Sequence, residues 1–120
     1  MNGAAQYRHI EQSSRVAAAT PHALVAILLT EALDQIDVMQ AALSRGRRGH
    51  EAQARATGIL HALEASLDGQ SGGATASLMA QVYRETRRCL RRASEEIDPD
   101  WCKKARATIA PIAEAWAQIA

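Results

Sequence analysis

The sequence predicts an all-α protein, an antiparallel up-down four-helix bundle with an additional short N-terminal helix or arm. Three observations point there. Apolar residues recur at alternating spacings of three and four along four successive stretches, the signature of helices with one buried stripe. Glycine clusters, or a capping side chain followed by proline, separate those stretches. No run alternates apolar and polar residues with β-branched enrichment, so strand signals are absent. Apolar residues make up 48% of the chain but aromatics only 3%, with no Phe. Such a core must be built from Ala, Leu, Ile, Val and Met, which favours close helix packing. At 120 residues the chain reads as one domain, with residues 1–19 as a mobile N-terminal arm and 20–120 as the bundle.

The elements follow in order. In the arm, Tyr7 and Ile10 lie three apart, enough for a short helix that could bury little alone. Thr20-Pro21 starts the first bundle helix: the threonine hydroxyl accepts a free amide, and proline fits the first helical position. Its seam is Val25, Leu29, Ala32, Ile36, Met39 and Leu43, and it stops in Ser44-Arg45-Gly46-Arg47-Arg48-Gly49. The second seam is Ala52, Ala56, Ile59, Leu63 and Leu67. It runs into Asp68-Gly69-Gln70-Ser71-Gly72-Gly73, a hinge, because glycine loses too much backbone entropy inside a helix. The third seam is Met79, Val82, Thr86, Cys89, Ala93 and Ile97. Asp98-Pro99 repeats the cap-then-proline start, and the last seam is Cys102, Ala105, Ile109, Ile112, Trp116 and Ile119. Pro111 lies inside it and should kink the helix rather than end it, because the apolar spacing continues.

Several function classes are disfavoured. The four histidines are scattered, no Glu-x-x-His pair is present, and His61 with Glu64 has no second pair to answer it. A di-iron bundle or other metal centre is therefore not expected. Gly69, Gly72 and Gly73 follow a helix rather than a strand, which rules against a phosphate cradle. Neither catalysis nor a cofactor is expected. The N-terminus lacks a charged and then apolar leader, and no apolar run nears the roughly 20 residues that span a bilayer. With Cys89 and Cys102 read as apolar core residues, a cytoplasmic protein with no membrane insertion is expected.

Two surfaces are left over. The first helix opens Ala23-Leu24-Val25-Ala26-Ile27-Leu28-Leu29, apolar nearly all round. Val25 and Leu29 can face the core, so Leu24, Ile27 and Leu28 need a second cover. On the third helix, Met79, Tyr83 and Leu90 lie to one side of the seam. Either another part of the chain covers both surfaces permanently, or they form a groove for an apolar partner helix with the arm as a removable lid. Separately, Arg84, Arg87, Arg88, Arg91 and Arg92 fall within an arc of roughly 140°. Such an arc is a solvated face or a nucleic-acid surface. The net charge of only +1 and the lack of aromatics beside the arginines argue against nucleic acid.

The residues also carry a resemblance. Tyr7, Val16 before Ala19-Thr20-Pro21, and Leu24, Leu28 and Ala32 fit one pattern. Leu67-Asp68 followed after three residues by Gly72-Gly73, then Tyr83, Arg88, Leu90, Asp98 and Ala115-Trp116, continue it. Over almost its full length the chain resembles the FliS family of flagellar export chaperones. The resemblance implies a non-enzymatic cytoplasmic chaperone with a helical-bundle fold and no cofactor. Such a chaperone binds the disordered C-terminal region of flagellin, prevents early polymerisation, and hands its client to the flagellar export apparatus. The partner-binding residues expected are Tyr7, Ile10, Leu24, Ile27, Leu28, Met79, Tyr83 and Leu90. The chain departs from the family where Leu29-Thr30-Glu31 replaces an aromatic-Asp-Gly run, where Tyr83-Arg84-Glu85 replaces Tyr-Asp-Tyr, and at Pro111. These departures leave open a divergent adaptor with a different client or a nucleic-acid-binding basic face. A bundle that self-associates as a homodimer through its apolar groove is the third reading.

Overall fold

The structure, a computed structural model, describes residues 20–67 and 73–119. Within them lie four helices: α1 (Pro21–Ser44), α2 (His50–Ser66), α3 (Ala74–Glu96) and α4 (Asp100–Gln118). Each packs on the next, and α4 closes back on α1, so the four form a ring in chain order. Direction follows from the cross-contacts. Trp116, late in α4, meets His22 at the start of α1, while Arg106, earlier in α4, meets Asp37 further along α1. The up-down four-helix bundle read from the seams is the observed architecture. The arm and hinge residues 68–72, with Tyr7 and Ile10, lie outside the described residues.

The helix ends obey local chemistry. Thr20 Oγ1 accepts the Ala23 amide at 3.1 Å, capping α1 as its Thr-Pro start predicts. At the other end Arg47 N donates to Ala42 O at 2.8 Å and Gly46 N to Leu43 O at 3.0 Å. That is a Schellman closure, and Gly46 takes the left-handed turn residue it needs at φ +77°. Gly49, at φ +65°, serves two purposes: a side-chain carbon there would sit 3.2 Å from Ala42 Cβ and 3.3 Å from Met39 Cα, so glycine also lets α2 begin tight against α1. At the α3–α4 turn, Asp98 Oδ1 accepts the Asp100 amide at 2.9 Å, just ahead of Pro99 and α4. Helix α4 runs on through Pro111.

The core is the four inward stripes. Helix α1 contributes Leu29, Ala32, Ile36, Met39 and Leu43, as its seam predicts, with Val25 half-buried. Helix α2 buries Ala52, Ala56 and Leu63, as its seam predicts, with Leu67 just beyond its end; Leu60 is buried in place of Ile59, which is half-buried against the core. Helix α4 buries Cys102, Ala105 and Ile109; Ile112 and Trp116 are half-buried and Ile119 is exposed. The largest departure is α3, whose buried residues are Tyr83, Thr86, Cys89, Leu90 and Ala93. Met79 and Val82 are half-buried, and Ile97 is exposed.

Tyr83 and Leu90, expected on an open partner surface, are therefore core residues, 1% and 0% exposed. The reason is geometric. A helix in a four-membered ring touches two neighbours and needs a stripe wider than one seam. At about 100° per residue, Tyr83 and Leu90 fall on the flank shared with Arg87, which pairs with Glu64 of α2. Burial raises the pKa of the Tyr83 phenol. Thr86, the one buried polar residue among the described residues apart from the Tyr83 phenol, donates its hydroxyl to Val82 O at 2.8 Å, so its burial is compensated. Ile97 fails as a seam residue for another reason: it is the residue that ends α3, in the left-handed conformation at φ 51°. A β-branched side chain is strained there.

Candidate partner-binding groove

One end of the bundle gathers the start of α1, the end of α2, the start of α3 and the end of α4. Here α1 is incompletely covered. Ala23 through Leu28 are all half-buried, and only at Leu29 does the helix reach full burial. The Thr20-Pro21 start fixes where this apolar stretch leaves the bundle end. A groove of about 480 Å³ runs along it, with Pro21, His22, Leu24, Val25 and Leu28 on the α1 side. Ala62, Leu63 and Ser66 of α2 form another wall, and Trp116 of α4 closes it.

Trp116 is held rigidly. Its ring stacks on His22 with centroids 4.9 Å apart and planes 13° from parallel, and its Nε1 donates to His22 O at 2.9 Å. The bond satisfies the indole's one donor and leaves the ring as an apolar wall. Leu78 at the start of α3 and Ile119 after α4, both at this end of the bundle, are 59% and 55% exposed. A groove with so much apolar lining, and only His22 and Ser66 as polar side chains, suits the apolar side chains of a polypeptide better than a polar small molecule.

Of the residues expected to bind a partner, Leu24 and Leu28 line the groove. Ile27 is half-buried beside them on α1, and Met79 is half-buried at the same end of the bundle against the core. Tyr83 and Leu90 are not on it, as described above. The groove members missed in the sequence are Pro21, His22, Ala62 and Ser66, together with Val25, Leu63 and Trp116, which read only as core-facing residues. Trp116 read as a seam residue, and nothing in a linear spacing shows α2 and α4 meeting α1.

The arginine arc is present but largely neutralised. Glu64 receives both Arg84, at 2.7 Å, and Arg87, at 2.8 Å. Arg88 forks onto Glu85 with bonds of 2.8 and 2.6 Å, and Arg92 pairs with Glu96. Burial alone would raise the Glu64 pKa, but contacts with Arg87 and Arg84 outweigh it and hold the carboxyl below its ordinary value. Trp101, at the start of α4, lies under Arg92, Lys104 and Arg88 at 4.6, 4.3 and 5.5 Å, and donates its Nε1 to Glu96 at 3.0 Å. Its faces are thus engaged by cations within the chain.

Other chemistry finds little footing. Among the described residues no group of three or more His, Cys, Asp or Glu could hold a metal ion. Cys89 and Cys102 are both free and buried, and burial pushes the Cys102 thiol up to about 11. A thiol so placed is a poor nucleophile at neutral pH. Among the described residues no helix is long and apolar enough to cross a membrane.

Comparison with known proteins gives one consistent result. The family model for flagellar protein FliS matches residues 3–120. A flagellar secretion chaperone FliS from Vibrio cholerae serotype O1 is 28% identical over 123 residues, spanning 99% of this chain and 90% of that protein. A flagellar secretion chaperone FliS from Salmonella typhimurium is 30% identical over 122 residues, spanning 98% and 90%. The resemblance carried by Leu67-Asp68, Gly72-Gly73, Tyr83 and Ala115-Trp116 holds across the whole bundle: this chain belongs to the FliS family of flagellar proteins.

Proposed function

We propose that this protein is a flagellar export chaperone that binds the C-terminal segment of flagellin, keeps it from polymerising early and delivers it to the export apparatus. The observation that carries this reading is the apolar groove beside α1, at the bundle end where Leu24 and Leu28 stand half-buried. Family membership supplies the client class. A disordered tail must offset its own ordering entropy on binding, so it needs a long apolar track rather than one deep pocket. The groove, continued by Ile27 and by Met79, Leu78 and Ile119 at the same end, supports such a track. The arm residues Tyr7 and Ile10 belong to the proposed surface as well. The setting proposed is the cytoplasm, where the client is made, and the role is non-enzymatic.

Leu28→Asp places a carboxylate on the groove wall. Titrated with a flagellin C-terminal peptide in a calorimeter, this variant should bind at least about tenfold more weakly than the wild type, since burying an unpaired charge is costly. Its helical circular dichroism should be unchanged, because Leu28 is only half-buried. Wild-type affinity in a folded Leu28→Asp protein would remove the groove from the client site. Flagellin lacking its tail should not co-purify with the wild-type chain.

A further inference from the structure

The outer face of α3 lies diagonally across the ring from α1, away from the groove. It carries a shallow depression of about 390 Å³ lined by Gln81, Arg84, Glu85, Arg87, Arg88 and Arg91. Three features of this face do not follow from packing. First, cations outnumber their partners: the ion pairs of the five arginines among residues 84–92 use three carboxylates, Glu64, Glu85 and Glu96. Secondly, Arg87 Nη1 is buried with no hydrogen-bond partner among the described residues, as is Oε1 of the Glu64 carboxylate beside it. An unmet buried donor on a charged group is costly. Thirdly, Arg91 lines the depression, is exposed, and has no ion pair among the described residues. The chain as a whole is only +1, so this is a local excess.

We propose that the outer face of α3 is a second docking surface, taking an acidic peptide segment of a protein partner whose carboxylates engage Arg91 and the exposed guanidiniums of Arg84 and Arg88. Arg84, Arg87, Arg88 and Arg91 span two helical turns, roughly 10 Å. Guanidinium forks bind carboxylates in two-point fashion. The forks of Arg84 and Arg88 are already oriented by Glu64 and Glu85, which lowers the ordering cost of docking. Glu95, one turn beyond Arg91 on the same outward side, limits the surface at its far end. The arrangement favours carboxylates over nucleic acid. Glu64 and Glu85 interrupt any continuous phosphate track, and the neighbouring aromatic, Trp101, is engaged by Arg92 and Lys104 rather than free to stack a base. The proposal does not depend on what fills the groove beside α1.

The test titrates the full chain, at low salt, with a short synthetic peptide of alternating Glu and Ala, against its Gln-Ala counterpart. Binding is followed by amide chemical shifts. The Glu peptide should shift α3 amides around Arg84–Arg91, and the Gln peptide should not. Arg91→Glu should weaken binding at least about tenfold, and Arg91→Lys should restore part of it. Arg45→Glu and Arg47→Glu, in the equally exposed loop between α1 and α2, should change it less than about twofold. Equal losses at Arg47 and Arg91 would reduce the effect to general charge attraction and overturn the proposal. So would absence of binding in the folded wild type, or a single-stranded DNA oligonucleotide that binds this face in place of the peptide.

Discussion

Helices α1 and α3 face each other across the diagonal of the bundle and divide their residues in opposite ways. Helix α1 begins apolar nearly all round, so its core side is satisfied while Leu24, Ile27 and Leu28 remain half-buried. Helix α3 sorts its side chains sharply, with Tyr83, Thr86, Cys89, Leu90 and Ala93 inside and arginines outside. Large apolar side chains in the sequence thus mean different things on the two helices. On α1 the surplus stays half-buried, with Leu24 and Leu28 lining the groove rather than sealed in the core. On α3 the apparent surplus is a second contact line, because a helix between two neighbours needs a wide stripe.

The most decisive way to break this contrast is a pair of truncations. Tyr83→Ala should cost about 3–5 kcal/mol of unfolding free energy, the range for removing a buried aromatic side chain. Leu24→Ala should cost only about 1 kcal/mol, since its site is already partly open. Urea denaturation of both variants measures the difference. Similar losses would mean that α1 is as fully covered as α3.

A smaller effect sharpens the α3 boundary. Ile97→Gly should stabilise the fold by about 1 kcal/mol, because glycine adopts the left-handed conformation at φ 51° without the clash isoleucine suffers. A lower melting temperature in this variant would show that the Ile97 side chain contributes more by packing than its backbone loses.

The smallest effect concerns the charged flank. The Glu64 carboxyl is held below its ordinary value of 4.5 in the fold. Its stabilising contribution is therefore present above that value and is lost as pH falls through the lower folded value. Glu64→Gln should flatten the acid side of the stability profile, leaving neutral stability changed only modestly. An identical acid limb in the variant would show that Arg84 and Arg87 do not hold this carboxylate.

Much of the bundle was legible because its cause is local. The α1 stripe from Leu29 to Leu43, the Thr20 cap and the Asp98-Pro99 start each depend on residues within a turn or two of one another. The candidate groove was legible only on the helix that carries its surplus, at Leu24 and Leu28. Its other walls, Ala62, Ser66 and Trp116, come from α2 and α4, and only the closing of the ring brings them to α1. The misreading of Tyr83 and Leu90 has the same origin. A heptad seam describes one line of contact, whereas ring closure sets how many lines a helix must satisfy. The ion pairs of Arg84 and Arg87 were equally hidden, since their shared partner lies on another helix, twenty residues before Arg84.

The placement of the two tryptophans has a practical consequence. One stands in each region: Trp116 walls the groove, and Trp101 lies beneath the cations at the start of α4. With no other tryptophan in the chain, the protein carries a separate native fluorophore for each surface. Replacing Trp101 with phenylalanine leaves emission from the groove alone, and replacing Trp116 leaves emission from the charged flank. Occupancy of the two faces can then be followed independently in the unlabelled molecule.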